Sequence, residues 1–315
     1  MPSLMRLADP FLRERLTILI YHRVRQQPDA LFPDEVHAAR FCEQVDVLRK
    51  HFSPMPVTEA LERLSDGSLP PRAVCITFDD GYADNFHVAA PILKRAGISA
   101  AFFIATDFVD GGRMWNDSLI EAVRRAPGAG LQVPSGIEYD VSSLDARRRT
   151  AEALVMAAKY LPADDRAAFV AGVVRAADAK LPIDLMMTSD ELRGLCNSGM
   201  EIGAHTCSHP ILTALSNAAA AAEFQQSRAR LESIIAAPVK LFAYPNGKPS
   251  VDYVAEHAAL VRRLGFRAAF STASGYALPS SDQMQLPRFT PWDRSPSRFA
   301  ARLLGNFFRA QTAFA

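Results

Sequence analysis

Short apolar runs recur along the chain with helical stretches between them. Runs at 16–22, 73–78 and 100–105 are rich in β-branched and aromatic residues and predict fully buried strands. Residues 85–96 have helical spacing and are followed by Gly97, a residue type that often ends helices. Strand, helix and strand in this order form a βαβ unit. The pattern therefore predicts an α/β protein with a parallel sheet or a (β/α) barrel.

The same alternation of predicted strands and helices occurs in the second half of the chain. Apolar runs at 201–205, 239–244 and 266–270 predict further strands, with helices over 217–236 and 251–264 between them. Other helices are expected at 38–50, from Thr58 onward and at 297–308.

Between residues 107 and 199 the alternation of predicted strands and helices is interrupted. Residues 144–178 are rich in Ala, Arg and Leu and predict helices that are interrupted at Leu161-Pro162. We therefore expect one domain over 1–315, with a mostly helical insertion at 107–199.

Composition excludes several classes of protein. Lys and Arg number 35 and Asp and Glu 34, so the net charge of +1 gives no reason to expect a nucleic-acid partner. The 4 cysteines form no Cys-x-x-Cys pair, which argues against a disulfide framework or a cysteine-rich zinc site. Residues 1–15 lack the apolar core of a secretory signal, and no apolar stretch is long enough to span a membrane. These features predict a cytoplasmic protein.

Polar residues follow the predicted strands directly. The carboxyl ends of parallel strands meet on one face of an α/β protein, and this face carries the active site. We therefore expect these side chains to converge: His22, Asp79, Asp80, His205, His209 and the segment 244–247.

Asp79 and Asp80 form the sharpest feature. Adjacent side chains diverge, so one carboxylate can bind a metal while the other stays free to act as a base. The alternative is a structural turn before Gly81, for which Asp is a favoured residue. An aspartyl phosphatase is disfavoured, because it would need one residue between the two aspartates.

His205 and His209 stand four residues apart. This spacing would place both imidazoles on one face of a helical turn, an arrangement that suits joint metal ligation. With one aspartate they would form a triad that leaves open positions on the metal. Such a site suits zinc-dependent hydrolysis, and a non-haem iron enzyme is also compatible with it.

Three motifs occur in a fixed order: Thr-Phe-Asp-Asp-Gly at 77–81, His-Thr-Cys-Ser-His at 205–209 and Phe-Ala-Tyr-Pro-Asn-Gly at 242–247. In this combination the chain resembles the polysaccharide deacetylase family, also called the NodB homology domain or carbohydrate esterase family 4. The resemblance implies a distorted (β/α) barrel of about seven strands. It also implies a divalent metal, with Zn²⁺ expected and Co²⁺ or Ni²⁺ as alternatives.

The resemblance further implies a role for each motif residue. Asp80, His205 and His209 would hold the metal, Asp79 would be the general base, and a backbone N–H near Tyr244 would stabilise the oxyanion. The reaction would remove N-acetyl groups from a polysaccharide, oligosaccharide or glycolipid, as in exopolysaccharide biosynthesis.

The chain departs from the family pattern at two places. Phe242 occupies the position of an arginine that orients the catalytic aspartate, and we expect Arg288 to replace it. The late Leu-x-His motif that supplies a general acid is absent, because the last histidine is His257, expected at the surface of a helix. His22 is the better candidate for the acid, since an imidazole can donate a proton near neutral pH.

Other interpretations remain open at this stage. The missing motifs would also fit a catalytically silent glycan-binding module. Trp115 could stack on a sugar or pack the insertion onto the barrel, and Asp293 could stand in for the family's fourth motif. The C-terminal helix could pack on the barrel or lie at a membrane surface, because apolar and basic residues alternate along it: Arg298, Phe299, Arg302, Leu303, Phe307 and Arg309.

Overall fold

A computed structural model describes residues 12–309 of the chain. The expectation of no secretory signal concerns mostly residues 1–11, which lie outside the described residues. Among residues 12–309, no helix combines the length and the apolar character needed to cross a bilayer. The cytoplasmic location stays a prediction.

The main sheet is parallel throughout and runs in the order β1, β3, β4, β7, β8, β9, with the short β2 also paired to β3. The strands are β1 (Leu16–Tyr21), β2 (Ser53–Pro54), β3 (Ala73–Phe78), β4 (Ala101–Ile104), β5 (Gly130–Gln132), β6 (Glu138–Asp140), β7 (Glu201–Ala204), β8 (Leu241–Ala243) and β9 (Ala268–Phe270). Strands β5 and β6 form a separate antiparallel hairpin.

Helices connect the strands, as the alternating pattern predicts. They are α1 (Ala38–His51), α2 (Val57–Ser65), α3 (Ala90–Ala96), α4 (Trp115–Arg125), α5 (Leu144–Lys159), α6 (Ala163–Ala176), α7 (Ser189–Asn197), α8 (Asn217–Ile235), α9 (Ala255–Arg263) and α10 (Pro296–Asn306). One π-helical turn, Asn85–Ala89, leads into α3.

A short segment, 286–289, joins the two edges of the curled sheet; we call it the closing segment. At one end Leu286 pairs with Phe270 of β9, and at the other end Phe289 pairs with Leu19 of β1. Backbone hydrogen bonds of 2.7–3.0 Å hold both ends. The sheet is thereby closed into the predicted distorted (β/α) barrel, and Arg288 lies inside it.

Side chains alternate between two cores along each strand, as strand geometry requires. One set, which includes Cys75, Phe103 and Phe270, fills the barrel interior together with the apolar face of α2. The other set, which includes Phe78 and Phe102, packs against the surrounding helices. The alternation places Asp79 on the interior side after Phe78, and the left-handed φ of 76° at Asp80 then turns the chain. The two adjacent carboxylates diverge as the sequence predicts, with Asp79 at Arg288 and Asp80 at His205.

The insertion forms a compact unit with its own apolar core between β4 and β7. Helices α4, α5 and α6 and the β5–β6 hairpin contribute to this core. Asp29, which follows β1, pairs with Arg124 of α4 at 2.7 Å and ties the unit to the barrel. Helix α7 packs instead on β7 and α8 of the barrel.

The C-terminal helix α10 belongs to the barrel. Its apolar residues Phe299, Leu303 and Phe307 are fully buried, and the helix packs on α1. Of the two alternatives for this helix, the structure shows packing on the barrel, and the apolar face that a membrane contact would need is part of the core.

Candidate active site

The predicted site residues that follow β1, β3 and β7 meet at one cavity of about 210 Å³. This is the geometry expected of the carboxyl ends of parallel strands. The strands contribute His22, Asp79, Asp80, His205 and His209, and the insertion contributes Met114, Trp115, Asn116, Val155 and Lys159.

Asp80, His205 and His209 form a set of three potential metal ligands. Nε2 of His205 lies 3.4 Å from Oδ1 of Asp80, and Nε2 of His209 lies 3.3 Å from the same oxygen. Oδ1 is buried and has no hydrogen-bond partner in the described part of the chain, an arrangement that is costly unless a cation or proton satisfies it. Two imidazoles and one carboxylate are a donor set that zinc accepts. The residues therefore fit a divalent metal.

The ring of His205 is oriented by the neighbouring strand. Its Nδ1 lies 2.7 Å from the carbonyl oxygen of Ala243, the last residue of β8. Because a carbonyl only accepts, we assign the proton to Nδ1, which leaves the lone pair on Nε2. This second contact fixes the ring and its tautomer for metal binding.

The two histidines approach each other through a loop. Residues 205–209 are not helical, and Thr206 and His209 have left-handed φ angles of 64° and 53°. The prediction of a helical turn is therefore wrong, although the two rings do converge, with centroids 4.9 Å apart. Glu223 of α8 holds the loop by accepting hydrogen bonds from the backbone N–H groups of Cys207 and Ser208.

Burial and charge together set the protonation of the three potential metal ligands. Burial would raise the pKa of Asp80, but the two histidines outweigh it and hold that pKa below its usual range. Burial lowers the pKa of His209 to about 4, so this ring is neutral near pH 7. Burial also opposes protonation of His205, yet the charges of Asp79 and Asp80 raise its pKa overall. A carboxylate and a neutral imidazole are the forms that bind metals.

Asp79 is held by Arg288 of the closing segment. Two hydrogen bonds of 2.7 Å join the guanidinium to the two carboxylate oxygens, and the arginine side chain is completely buried. Nε of Arg288 also donates to the carbonyl of Ser271 at 2.8 Å. Burial would raise the pKa of Asp79, but the arginine charge lowers it overall, so Asp79 is ionised at neutral pH. Arg288 thus pairs with Asp79, and its replacement of the family's motif arginine stays a prediction.

His22 lies at the rim of the cavity, directly after β1. Its side chain is exposed, and its carbonyl oxygen accepts a hydrogen bond of 2.8 Å from Asn85. The residue lines both the catalytic cavity and a neighbouring hollow that includes Trp292. The rim is a position from which an imidazole can exchange protons with solvent.

Tyr244 does not reach the cavity. Its N–H donates to the carbonyl of Phe270 within the sheet, and its buried ring stacks on Tyr253 at 3.9 Å. The prediction that places Tyr244 among the catalytic residues is therefore wrong for its own amide and side chain. From the same segment, Asn246 lines the cavity instead.

Two further expectations also change. His257 is buried, and its Nδ1 accepts a hydrogen bond from the N–H of Val254 at the start of α9. The surface location predicted for it is wrong. Asp293 pairs with Arg302 at 2.8 Å and does not line the catalytic cavity.

A buried group of polar residues lies beside the site and is not predicted by the sequence. Arg23 pairs with Asp84 at 2.8 Å, and its guanidinium lies 4.5 Å from the ring centroid of Tyr82. Next to them Asp117 of α4 is almost fully buried, and burial raises its pKa to about 7. The sequence offers no periodic signal for Asp117, because the burial arises from the insertion packing on the barrel.

Solved structures share this fold. The deacetylase PplD of Streptococcus pyogenes, solved in complex with acetate, has a TM-score of 0.63 and 18% identity and covers 93% of this chain and 98% of its own. IcaB from Ammonifex degensii has a TM-score of 0.61 and 20% identity, with coverages of 92% and 97%. At these identities the likeness shows that the fold is shared.

Similarity in sequence adds the family to the shared fold. YxkH of Bacillus subtilis, a candidate polysaccharide deacetylase by its name, is 32% identical over 91 residues, which are 29% of this chain and 32% of that protein. The match thus spans about a third of that relative's length. The polysaccharide deacetylase family itself matches residues 66–136 and 155–269, together more than half of the chain. The fold, the site and this match agree: the chain belongs to the polysaccharide deacetylase family.

Proposed function

We propose that the protein is a metal-dependent hydrolase that removes N-acetyl groups from amino sugars in a polysaccharide, oligosaccharide or glycolipid. One observation carries this proposal. The orphaned oxygen of Asp80 faces two imidazoles, while the neighbouring Asp79 is ionised and held apart by Arg288. Amide hydrolysis needs both parts, a cation site and a separate base.

Asp80, His205 and His209 would hold the metal, which we expect to be zinc, with cobalt and nickel as alternatives. Such a cation supplies Lewis-acid chemistry: it polarises an amide carbonyl and lowers the pKa of water.

Asp79 would take the proton of the attacking water. The bidentate pair with Arg288 fixes the plane of the carboxylate and keeps it ionised, and each oxygen retains a lone pair that can accept a proton. Arg288 therefore acts through Asp79 and is a positioning residue.

His22 would protonate the leaving nitrogen. It borders the same cavity as Asp79, at the carboxyl end of the neighbouring parallel strand β1, and is exposed to solvent, which can return the proton after each turnover. The backbone N–H of Asn246 is the best candidate in its segment for an oxyanion donor, because Tyr244 uses its amide within the sheet.

Acetate release from N-acetylglucosamine oligomers tests this function. Protein stripped with a chelator should be inactive, and added zinc or cobalt should restore release. In Asp79→Asn, release should fall by roughly 10²–10⁴-fold with unchanged metal content, because the general base is lost. Asp145→Asn is the matched control, since Asp145 is exposed on α5.

Two results would contradict the proposal in different ways. Stoichiometric zinc binding without acetate release would leave the site intact and reject the substrate. Absence of metal binding would reject the mechanism. Oxygen consumption with Fe²⁺ would favour the alternative non-haem iron enzyme.

A further inference from the structure

The insertion leaves a groove against the barrel that adjoins the catalytic cavity. Two hollows of about 430 and 440 Å³ form this groove. Lys159 lines both the cavity and the first hollow, and Trp115 lines both the cavity and the second. Arg166 lines both hollows. The cavity itself is smaller than the roughly 300–1,000 Å³ of typical ligand pockets, so a larger substrate must extend into the groove.

Three cations line this groove: Arg113, Lys159 and Arg166. Arg113 donates hydrogen bonds to Ser118 and to the carbonyl of Pro182, whereas Lys159 and Arg166 have no polar partner of this kind in the described part of the chain. Among residues 12–309, no carboxylate lies within ion-pair distance of Lys159 or Arg166. The guanidinium of Arg166 lies 5.3 Å from the ring centroid of Trp115, and the ammonium of Lys159 lies 5.5 Å from that of Tyr160. Both contacts are aromatic and leave the positive charges uncompensated.

Three arginines around the catalytic cavity are paired with carboxylates instead. Arg23, Arg124 and Arg288 each pair with an aspartate at 2.7–2.8 Å. Arg166 is partly buried, and burial lowers its pKa with no opposing charge. Asp164 and Asp165 stand in the first turn of α6, but they are exposed and line neither hollow.

We propose that Lys159 and Arg166 bind an anionic group of the substrate, a phosphate or a carboxylate, while its acetamide lies at the catalytic cavity. This inference rests on the proposed function and narrows its substrate to an acidic glycan or glycolipid. An oxyanion supplies the missing charge and accepts hydrogen bonds from both side chains. Trp115 lines both the cavity and the second hollow, so the sugar that connects the two groups would pass along its side chain.

Three substrates of different charge test the proposal in the zinc-loaded protein. They are the neutral N-acetylglucosamine tetramer, N-acetylglucosamine 1-phosphate and a hyaluronan tetrasaccharide, which carries carboxylates. We expect kcat/KM to be at least about tenfold higher for one of the acidic substrates than for the tetramer at low salt. Added NaCl should reduce this preference, and the two acidic substrates distinguish a phosphate site from a carboxylate site.

Substitutions in the groove show whether Lys159 and Arg166 cause the preference for acidic substrates. The double variant Lys159→Met with Arg166→Gln should lose the preference through KM, while Lys159→Arg should retain it. Arg149→Gln is the matched control, because Arg149 is exposed on the same helix as Lys159. An equal preference in the double variant and the wild type would overturn the proposal.

A binding measurement separates this inference from the proposed function. Zinc-loaded Asp79→Asn protein should bind one acidic compound more tightly than the neutral tetramer. Acetate release from all three substrates with no preference in rate or binding would overturn the anion site alone. Preferential binding of an acidic compound without acetate release from any substrate would overturn the hydrolase alone. If the protein neither released acetate nor preferred an acidic compound, both the hydrolase and the anion site would be overturned.

Discussion

Arg288 of the barrel and two cations of the insertion, Lys159 and Arg166, differ in how their charge is compensated. In the barrel, Arg288 is completely buried and both of its terminal nitrogens bond to Asp79. In the insertion, Lys159 and Arg166 line a groove and have no ion-pair partner in the described part of the chain. Several large apolar side chains of this unit are also exposed, among them Met156 and Tyr160 at 62% and 64%.

This difference in charge compensation suits two separate roles, catalysis and substrate binding. A buried charge is tolerated only with a partner, so the barrel can position ionised groups permanently for chemistry. A half-exposed charge without a partner costs little and remains free to meet a ligand. The barrel thus supplies the reaction, and we infer that the insertion selects what enters it.

Loss of a metal ligand should have the largest effect. His205→Gln removes one of the two imidazoles from the set around Asp80, so zinc binding should become substoichiometric and acetate release should fall by roughly 10³-fold or more. Metal content and activity of the purified variant check this. His87→Gln is the control, because His87 is exposed and pairs with Glu191 away from the cavity. Full zinc occupancy in His205→Gln would contradict the assigned ligand set.

Loss of the buried ion pair should be the next largest effect. Arg288→Met leaves Asp79 buried without a partner and should lower the free energy of unfolding by about 3–5 kcal/mol. Urea unfolding measures this. The double variant with Asp79→Asn should regain part of the stability, because the unpaired charge is then absent. If the double variant were no more stable than Arg288→Met, the loss would arise from packing and not from charge.

Stability should also depend on Asp117, where insertion and barrel meet. Asp80 and Glu121 add to the effect of burial and raise the pKa of this carboxyl to about 7, while Arg23 and a hydrogen bond with Tyr82 oppose the shift. Because the folded state holds the proton more tightly than the unfolded state, ionisation destabilises the protein as the pH rises from about 4 to about 7.

The variant Asp117→Asn cannot ionise. In metal-free protein it should be more stable than the wild type by roughly 1–4 kcal/mol at pH 8, and the difference should shrink towards pH 4. Urea unfolding at several pH values gives the comparison. A difference that is constant with pH would show that Asp117 does not titrate in this range.

The smallest expected effect concerns the attachment of the insertion. Asp29→Ala removes the pairs with Arg124 and Arg25 and the acceptor for the N–H of Leu31. It should cost about 1 kcal/mol, because both arginines are partly exposed and each keeps another carboxylate partner. Hydrogen exchange should become faster in α4–α6 and stay unchanged in the barrel. Asp29→Asn should have a smaller effect, since its side-chain oxygen can still accept from the N–H of Leu31. Faster exchange throughout the barrel would show that the two units unfold together.

The sequence predicts the barrel well, because its strands are buried and its helices are amphipathic. The π-helical turn and α3 together span the expected 85–96, and α5 and α6 flank the expected break at Leu161-Pro162. The β5–β6 hairpin is not predicted. Its strands have only three residues each and most of their residues are exposed, so they lack the apolar run that marks a buried strand.

Within the site, residue identities are predictable and local geometry is not. Asp80, His205 and His209 do converge, but through left-handed backbone at all three of Asp80, Thr206 and His209, which spacing alone does not reveal. The partner of Asp79 lies 209 positions away along the chain, so only the absence of the expected arginine at Phe242 points to it.

The closing segment determines when the proposed catalytic groups are complete during folding. The proposed metal ligands are all present once the chain has been made to His209, whereas Arg288 arrives with the last strand-like piece that joins β1 to β9. A nascent or truncated chain that ends before Leu286 would carry the ligands but not the group that orients Asp79. Closure of the barrel and orientation of Asp79 therefore depend on the same four-residue segment.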